Sequence, residues 1–288
     1  MPELPEVEHV RQGLAASIVG ARVRRVRVHR RDVIVTDGDP PGGFSRSRRT
    51  TDAAPRRVRS SELLGGDEIR DVLRHGKQLA IVGASGRVVC VHLGMTGRVL
   101  VGAESGMTHE HVRWTLEDGT RLSFCDARRF GGLWCYDSEA SLRSARWDAL
   151  GPDALHVTAK MLQRVFASRA RPIKAVLLDQ TLVAGLGNIY VDESLFASGI
   201  LPTRMARDVT DGESRDLARH ARRILRRAIR AGGSTLRDFV GVEGQKGGYR
   251  LRHIVYGRAG QPCRRCRTTL ESDQVGQRTT VWCPSCQT

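Results

Sequence analysis

The N-terminal residues Pro2, Glu3 and Glu6 combine a secondary amine with two carboxylates. We expect Met1 to be trimmed before a small residue, which leaves proline with a free α-amine of pKa about 8, partly unprotonated at neutral pH. Such an amine attacks an aldehyde-level carbon, such as C1′ of a sugar, and the resulting iminium ion permits elimination of the 3′-phosphate. One carboxylate could protonate a sugar or base oxygen while the other steers the amine. The same residues are ordinary at a helix start, so the pattern alone leaves both interpretations open.

A second constellation consists of two Cys-x-x-Cys pairs separated by 16 residues: Cys263, Cys266, Cys283 and Cys286. Two such pairs complete a tetrahedron of thiolates around zinc and leave no open position, which predicts one structural Zn²⁺ rather than a catalytic metal. The spacer predicts a β-hairpin that carries Arg278. With seven cysteines in all, the odd total and the single cluster indicate a reduced compartment rather than a disulfide framework.

Further motifs lie between these two ends: HGK at Lys77, HLGMTG at Met95, ARRFGG with Arg128 and Phe130, and GLGNIY at Asn188. Methionine and phenylalanine are mostly core residues. The glycines around Met95 and after Phe130 favour exposed turns instead. The Gly-Leu-Gly before Asn188 predicts a tight turn at a helix N-terminus, where backbone N–H groups can bind phosphate.

The charge of the chain points to a polyanionic partner. Lys and Arg number 47 against 31 Asp and Glu, which gives a net charge of +16. Nucleic acid is the favoured partner, with anionic lipid as the alternative. There is no run of 18 apolar residues, and the acidic N-terminus lacks the apolar region of a secretory signal. We therefore expect a cytoplasmic, nucleoid-associated protein with no membrane partner.

Periodicity divides the chain into three parts. Residues 1–150 begin with a helix over 5–18 and continue with short strands, which predicts a β-sandwich or barrel preceded by one helix. A basic, Pro- and Gly-rich insertion over about 37–61 interrupts it. Residues 151–250 are helical, and residues 251–288 form the zinc module. The fold class is therefore α+β with several domains.

Taken in order, the PELPEVE start, the four internal motifs and the terminal cysteine pairs resemble the formamidopyrimidine-DNA glycosylase family. These are bacterial base-excision repair enzymes related to endonuclease VIII. The resemblance spans essentially the whole chain, and Leu4 resembles the oxidised-purine branch. It implies an N-terminal β-sandwich flanked by helices, followed by a helix–two-turn–helix domain with a zinc hairpin.

The resemblance also implies roles for the N-terminal residues and the first basic motif. Pro2 is similar to the family's nucleophile, Glu3 to its general acid and Glu6 to a support for the amine. Lys77 is expected to contact phosphates at the lesion, where a point charge on a flexible stem suits the task.

Other residues are expected to bind DNA by the same resemblance. Met95, Arg128 and Phe130 are similar to the residues that fill the space left by a flipped nucleotide, since apolar wedges lower the cost of extrusion. The remaining DNA-binding expectations are His111, Lys174, Asn188 and Arg278.

Three departures from the family pattern bear on substrate preference. Ala127 stands where the family usually has proline, the 37–61 insertion is longer than usual, and the loop over 244–249 that corresponds to the cover of the flipped base has atypical sequence.

We predict a monomeric bifunctional glycosylase and β,δ-lyase that acts on 8-oxoguanine and formamidopyrimidines in duplex DNA. It would also act on abasic sites. Two alternatives remain at this point: an oxidised-pyrimidine glycosylase of the endonuclease VIII type, and a non-catalytic zinc protein that binds damaged DNA.

Overall fold

The computed structural model describes residues 1–36, 58–102, 107–234, 240–245 and 247–288. Most of the predicted insertion, residues 37–57, lies outside the described residues, as does Lys246 of the predicted cover loop. None of the described helices combines the length and apolar character needed to cross a membrane.

The described residues fall into two compact units. The first consists of Met1–Pro2, Glu6–Asp148 and Ser234–Gly247, and the second of Glu3–Pro5, Ala149–Gly233 and Gly248–Thr288. The predicted division at residue 150 placed all of 151–250 together, whereas 234–247 belongs to the first unit. The reason is local packing, because the Val101 N–H donates to the Val242 carbonyl at 2.9 Å and Val242 contacts Gly13.

Strands and short helical segments make up most of the first unit after helix α1 (Leu4–Ile18). The strands are β1 (Val23–Val28), β2 (Ile34–Val35), β3 (Ile69–His75), β4 (Gln78–Gly83), β5 (Val88–His92), β6 (Gly97–Val101), β7 (Glu110–Leu116), β8 (Arg121–Asp126) and β9 (Gly132–Tyr136), followed by α2 (Glu139–Leu142). One sheet is antiparallel, in the order β1-β7-β8-β6. The other has the order β2-β9-β5-β4-β3, with only its β2–β9 pair parallel.

The core of the first unit lies between the sheets and α1. Val7, Val10 and Leu14 recur on one face of α1 and are each at most 1% exposed, as a helical apolar stripe requires. They pack in one cluster with residues of both sheets, among them Phe124 and Leu133. This is the β-sandwich with a preceding helix that the sequence predicts.

The last residues of the predicted insertion are ordered parts of this core. Ser60–Leu63 forms a 3₁₀ turn in which Leu63 is fully buried. The Leu63 carbonyl accepts the indole N–H of Trp114 at 2.8 Å. An apolar anchor, Leu63, therefore lies just beyond the predicted boundary at residue 61.

The second unit is helical and ends in a hairpin. Its elements are α3 (Ala159–Phe166), α4 (Ile173–Leu178), α5 (Asn188–Ser198), α6 (Asp211–Arg230), β10 (Glu271–Val275) and β11 (Arg278–Trp282). Helix α6 begins with a capping box, in which Thr210 and Glu213 satisfy each other's backbone N–H groups. Strands β10 and β11 pair antiparallel across Gly276 and Gln277, both with positive φ, as a tight hairpin turn requires.

Candidate functional site

Met95 and Phe130 lie on two neighbouring loops of the first unit and are exposed. Met95, between β5 and β6, is 37% exposed, and Phe130, between β8 and β9, is 44% exposed. A Cβ on Gly94, whose φ is +60°, would lie 2.4 Å from the Phe130 carbonyl carbon, so glycine lets the two loops touch. The structure thus places both side chains on turns, as the flanking glycines predict, and not in the core.

A buried carboxylate, Asp126, joins these two loops. It is 1% exposed and accepts hydrogen bonds from the Thr96 hydroxyl, from the Arg128 N–H at 3.3 Å and from the Gly131 N–H at 2.7 Å. Thr96 directly follows Met95, and Arg128 and Gly131 lie on either side of Phe130. Asp126 therefore fixes where the two apolar side chains emerge. Sequence reasoning did not identify it. Its position at the end of β8, directly before the ARRFGG motif, is the signal that was present.

Arg128 extends the same exposed cluster. Its guanidinium carbon lies 4.6 Å from the centre of the Phe130 ring, a cation–π contact that keeps the charge beside the apolar side chain. The following residue, Arg129, has a φ of +55° and forms an ion pair with Asp32 at 2.7 Å. The left-handed residue turns the chain so that Phe130 projects outward. We call Met95, Arg128 and Phe130 the wedge cluster.

Two histidines lie beneath the wedge cluster. The Nδ1 atom of His92 accepts the Gly94 N–H at 3.2 Å. Burial, and then the charges of Arg146 and Lys77, lower the pKa of His92 to about 4. His111 is 4% exposed and its Nε2 is 2.7 Å from the Asp126 carbonyl. The ring is enclosed and supports the backbone of Asp126, and the DNA contact predicted for His111 stays a prediction.

Lys77 lies in the two-residue turn between β3 and β4 and is half-buried. Gly76, with φ +55°, allows the turn. Arg74 donates to the Gly76 carbonyl at 2.9 Å and forms a nearly buried ion pair with Glu8 of α1 at 2.8 Å. The lysine therefore lies on a turn whose backbone is held by Arg74, which is itself paired with Glu8.

Glu3 is buried against the start of α5, in the second unit. Its carboxylate accepts the N–H groups of Gly187 at 2.8 Å, Ile189 at 2.9 Å and Tyr190 at 3.3 Å. These donors belong to the first helical turn, which has no intrahelical acceptors for them and carries partial positive charge. A Cβ at position 187 would lie 2.4 Å from the Glu3 Cδ atom, so the glycine of GLGNIY makes room for this carboxylate.

This arrangement bears on the phosphate contact predicted at the same helix, which stays a prediction. Three of the backbone N–H groups offered by the turn are occupied by Glu3 and cannot also bind phosphate. Asn188 is the first residue of α5, with Gly187 as its N-cap. The Asn188 side chain donates to the Thr279 carbonyl at 2.8 Å, and its Oδ1 atom has no hydrogen-bond partner among the described residues.

Pro2 and Glu6 are both buried. Glu6 is 1% exposed and accepts the Ser234 N–H at 2.6 Å. The carboxylate is therefore held to the segment that follows α6, which is also part of the first unit. Its surroundings agree with a supporting role better than with contact to solvent.

Lys174 is fully buried in the structure, and the contact with DNA predicted for it stays a prediction. Its ammonium group lies 2.6 Å from the Asp192 carboxylate and donates to the Thr279 carbonyl at 3.2 Å. Burial lowers the pKa of Lys174 and raises that of Asp192, while their mutual attraction opposes both shifts. The other Asp192 oxygen accepts the Val281 N–H at 3.2 Å. The pair thus anchors strand β11 to α4 and α5.

Arg278 is the first residue of that anchored strand and is exposed. Lys174 and Asn188 both bind the carbonyl of the next residue, Thr279. These two hydrogen bonds fix the backbone next to Arg278 and so position its basic side chain.

The four terminal cysteines converge as predicted. Their Sγ atoms all lie within 4.8 Å of one another, and a tetrahedral zinc site with Zn–S bonds of about 2.3 Å requires separations of about 3.8 Å. The Arg265 N–H lies 3.4 Å from the Cys263 Sγ atom, a contact that favours a thiolate. The residues fit one Zn²⁺, which would hold the base of the β10–β11 hairpin.

Glu193 is a further buried carboxylate that sequence reasoning missed. It accepts the N–H groups of Ile254, Val255 and Tyr256 at 2.9 Å and so ties the segment before the zinc module to α5. No spacing motif marks it, because its partners are backbone groups about 60 residues away.

Comparison with known proteins gives matches along the chain. The models described as the formamidopyrimidine-DNA glycosylase N-terminal domain and H2TH domain match residues 1–133 and 149–240, and the zinc finger found in FPG and IleRS matches residues 260–288. The chain is 40% identical over 292 residues to the formamidopyrimidine-DNA glycosylase of Xanthomonas oryzae pv. oryzae, with 100% of each chain covered.

Solved structures give the same result. The MutM (Fpg) protein from Thermus thermophilus is similar with a TM-score of 0.81 and 37% identity, covering 99% of this chain and 98% of that one. An Fpg mutant from Lactococcus lactis, in complex with DNA that contains Fapy-dG, is similar with a TM-score of 0.83 and 29% identity, covering 99% of each chain.

Proposed function

Because the chain belongs to the formamidopyrimidine-DNA glycosylase family, we propose that it excises oxidised purines from duplex DNA and then cleaves the strand at the resulting abasic site. The substrates are 8-oxoguanine and formamidopyrimidines, and the protein acts as a monomer in base excision repair. The observation that carries the proposal is the wedge cluster: two apolar side chains and an arginine held outward by the buried Asp126. Exposed apolar wedges fill the gap that an extruded nucleotide leaves in the base stack.

The chemistry starts at the amine of Pro2 after removal of Met1. The nitrogen lone pair forms a bond to C1′ of the damaged nucleotide, and the glycosidic bond breaks as the base leaves with a proton. Ring opening gives an iminium ion, which acidifies C2′–H. Loss of that proton expels the 3′-phosphate, and a second elimination expels the 5′-phosphate. Hydrolysis of the remaining imine then restores the amine.

Glu3 is proposed as the group that transfers protons during these steps. Its carboxylate accepts three backbone N–H groups at the start of α5, and we propose that it takes up the proton of the attacking amine and returns it to the leaving group. It would also stabilise the cationic sugar. Glu6 supports the amine through the first turns of α1.

Most of the proposed DNA contacts involve exposed or half-buried groups. Lys77 is proposed to bind phosphate next to the lesion, and Arg278 on the zinc hairpin to bind another. One amide hydrogen of Asn188 donates to the Thr279 carbonyl, and the other is proposed to donate to a DNA phosphate. Lys174 and His111, which are buried and position neighbouring groups, stay proposed DNA-binding residues.

Incision of defined duplexes tests the proposal. We expect a 5′-labelled duplex with 8-oxoguanine opposite cytosine to be cut to a product with a 3′-phosphate, and an undamaged duplex to remain intact. Faster incision of a thymine glycol duplex would indicate the oxidised-pyrimidine alternative. Tight binding of both damaged duplexes without incision, by protein that lacks Met1, would instead support the non-catalytic alternative.

A further inference from the structure

A cavity of about 380 Å³ lies in the second unit, where the C-terminal half of α5 meets α6 and the segment before the zinc module. Helix α5 contributes Phe196 and Ala197, and α6 contributes Ile224. Five arginines surround it: Arg223, Arg227, Arg252, Arg264 and Arg265. A volume of this size falls within the range of ligand-binding pockets.

The cavity reaches the predicted cover loop through Tyr249, but it lies away from the N-terminal end of α5. Phe196 lies eight residues beyond Asn188 on α5, which corresponds to about 12 Å along the helix axis. A ligand in the cavity would therefore leave the N-terminal end of α5, with Glu3 and Asn188, unoccupied.

The positive charge around the cavity exceeds the negative charge, since five arginines share the lining with one carboxylate, Glu193. None of the five arginines forms an ion pair within 4 Å in the part of the chain that the structure describes, whereas Arg204 in the same unit pairs with Glu213. The carboxylate in the lining is Glu193, and backbone N–H groups of Ile254, Val255 and Tyr256 occupy it. Five like charges around one concavity repel one another, and an anionic ligand would offset that cost.

The floor of the cavity is apolar. Phe196 and Ile224 are 4% and 8% exposed, and the Arg265 guanidinium lies 4.5 Å from the centre of the Phe196 ring. Interfaces with duplex DNA are polar, and the protein follows a convex phosphate backbone. That backbone would not reach the apolar floor of a cavity. An acidic peptide with one apolar side chain satisfies both features, because arginine clusters bind acidic motifs and the apolar anchor fills the concavity.

We propose that this cavity binds an acidic peptide segment of a partner protein, with carboxylates on the arginines and an aliphatic or aromatic side chain on the floor. The inference does not depend on the glycosylase chemistry. It predicts a docking site through which another protein recruits this one.

Fluorescence anisotropy with two labelled peptides tests the inference. The first peptide is Asp-Glu-Asp-Asp-Leu-Phe, and the second carries Ser-Ser in place of Leu-Phe. The test variant is Arg223→Glu/Arg227→Glu on the cavity side of α6. The matched control is Arg226→Glu/Arg230→Glu, which has the same spacing and the same charge change but does not line the cavity. A second test variant, Ala197→Phe, fills the floor without altering charge.

We expect saturable 1:1 binding of the anchored peptide, about tenfold weaker in the test pair and changed by less than about threefold in the control pair. Ala197→Phe should weaken the anchored peptide to the level of the Ser-Ser peptide. Equal losses in both double variants would overturn the proposal, because bulk charge alone would then explain binding. It would also be overturned if inorganic phosphate or a 12-mer oligonucleotide displaced the peptide and lost affinity selectively in the test pair.

Discussion

At the scale of single residues, Asp126 accounts for the geometry of the wedge cluster. The sequence marks Met95, Arg128 and Phe130 through their glycine neighbours, since glycine next to an apolar residue indicates a turn. It does not mark Asp126, which looks like an ordinary strand end until the partners on the Met95 loop are known. The family pattern predicts that His111 and Lys174 bind DNA, and the structure shows that both are buried, which local pattern does not predict. Exposure is thus predictable where glycines mark a turn, as at Met95 and Phe130, and not where tertiary packing encloses a polar side chain.

Replacing Asp126 with Asn should cost about 1–3 kcal/mol of unfolding free energy, because the amide NH₂ would face an N–H donor on Arg128 or Gly131. Incision of 8-oxoguanine duplexes should fall with it, since the wedge cluster loses its shared anchor. Denaturant unfolding and single-turnover incision measure the two effects. Asp137→Asn is the control, because its side chain is 77% exposed and its loss should change stability by less than about 0.5 kcal/mol. Unchanged stability of the Asp126 variant would contradict this assignment.

His92 gives a prediction of pH dependence. Its pKa is lowered from 6.5 to about 4 by burial and by Arg146 and Lys77, so the folded protein disfavours the protonated ring that would lose the Gly94 hydrogen bond. The unfolded chain then binds more protons between these values, and the contribution of His92 to stability is full above pH 6.5 and decreases as pH falls toward 4. We expect the stability difference between wild type and His92→Asn to shrink over this window. NMR titration showing a His92 pKa near 6.5 would contradict the prediction.

At the scale of elements, the sequence predicts helices and strands whose apolar residues recur at regular spacing. It does not predict strands that begin inside an exposed-turn motif. Helices α1, α4 and α6 and the β7–β8 hairpin follow from apolar spacing and turn residues. Strands β6 and β9 were not predicted, because each starts at a glycine that also belongs to an exposed-turn motif. Strand β3 was missed because its Arg and Asp residues interrupt the apolar alternation. The tertiary pairing of these strands with β8, β5 and β4 supplies what local pattern does not.

The start of α5 gives a prediction for an element. Gly187→Ala should displace Glu3, because the new Cβ would lie 2.4 Å from its carboxyl carbon. We expect lower stability and a large loss of incision, measured by thermal unfolding and by single-turnover assay. Gly212→Ala in the first turn of α6 is the control, since its Cβ meets nothing closer than 3.8 Å. Alanine there should stabilise the helix by about 0.5–1 kcal/mol and leave incision unchanged. Equal activity of the two variants would argue against a role for the Glu3 position.

At the scale of the whole molecule, the zinc module and the net charge of +16 lead to a prediction about DNA binding. The β10–β11 hairpin is held by buried Cys263 and Cys283 and by the Lys174–Asp192 anchor. We expect one Zn²⁺ per chain by mass spectrometry of metal content. Removal by a strong chelator should weaken DNA binding, because Arg278 loses its support. A metal-free protein with unchanged DNA affinity would contradict a structural role for zinc.

The central claim is that the N-terminal amine of Pro2 forms the covalent bond to deoxyribose. Borohydride reduction during turnover of an 8-oxoguanine duplex, followed by peptide mass mapping of the cross-linked protein, tests it most directly. We expect active protein to lack Met1 and the reduced sugar adduct to map to the nitrogen of Pro2. An adduct on Lys77, or full activity in protein that retains Met1, would contradict it.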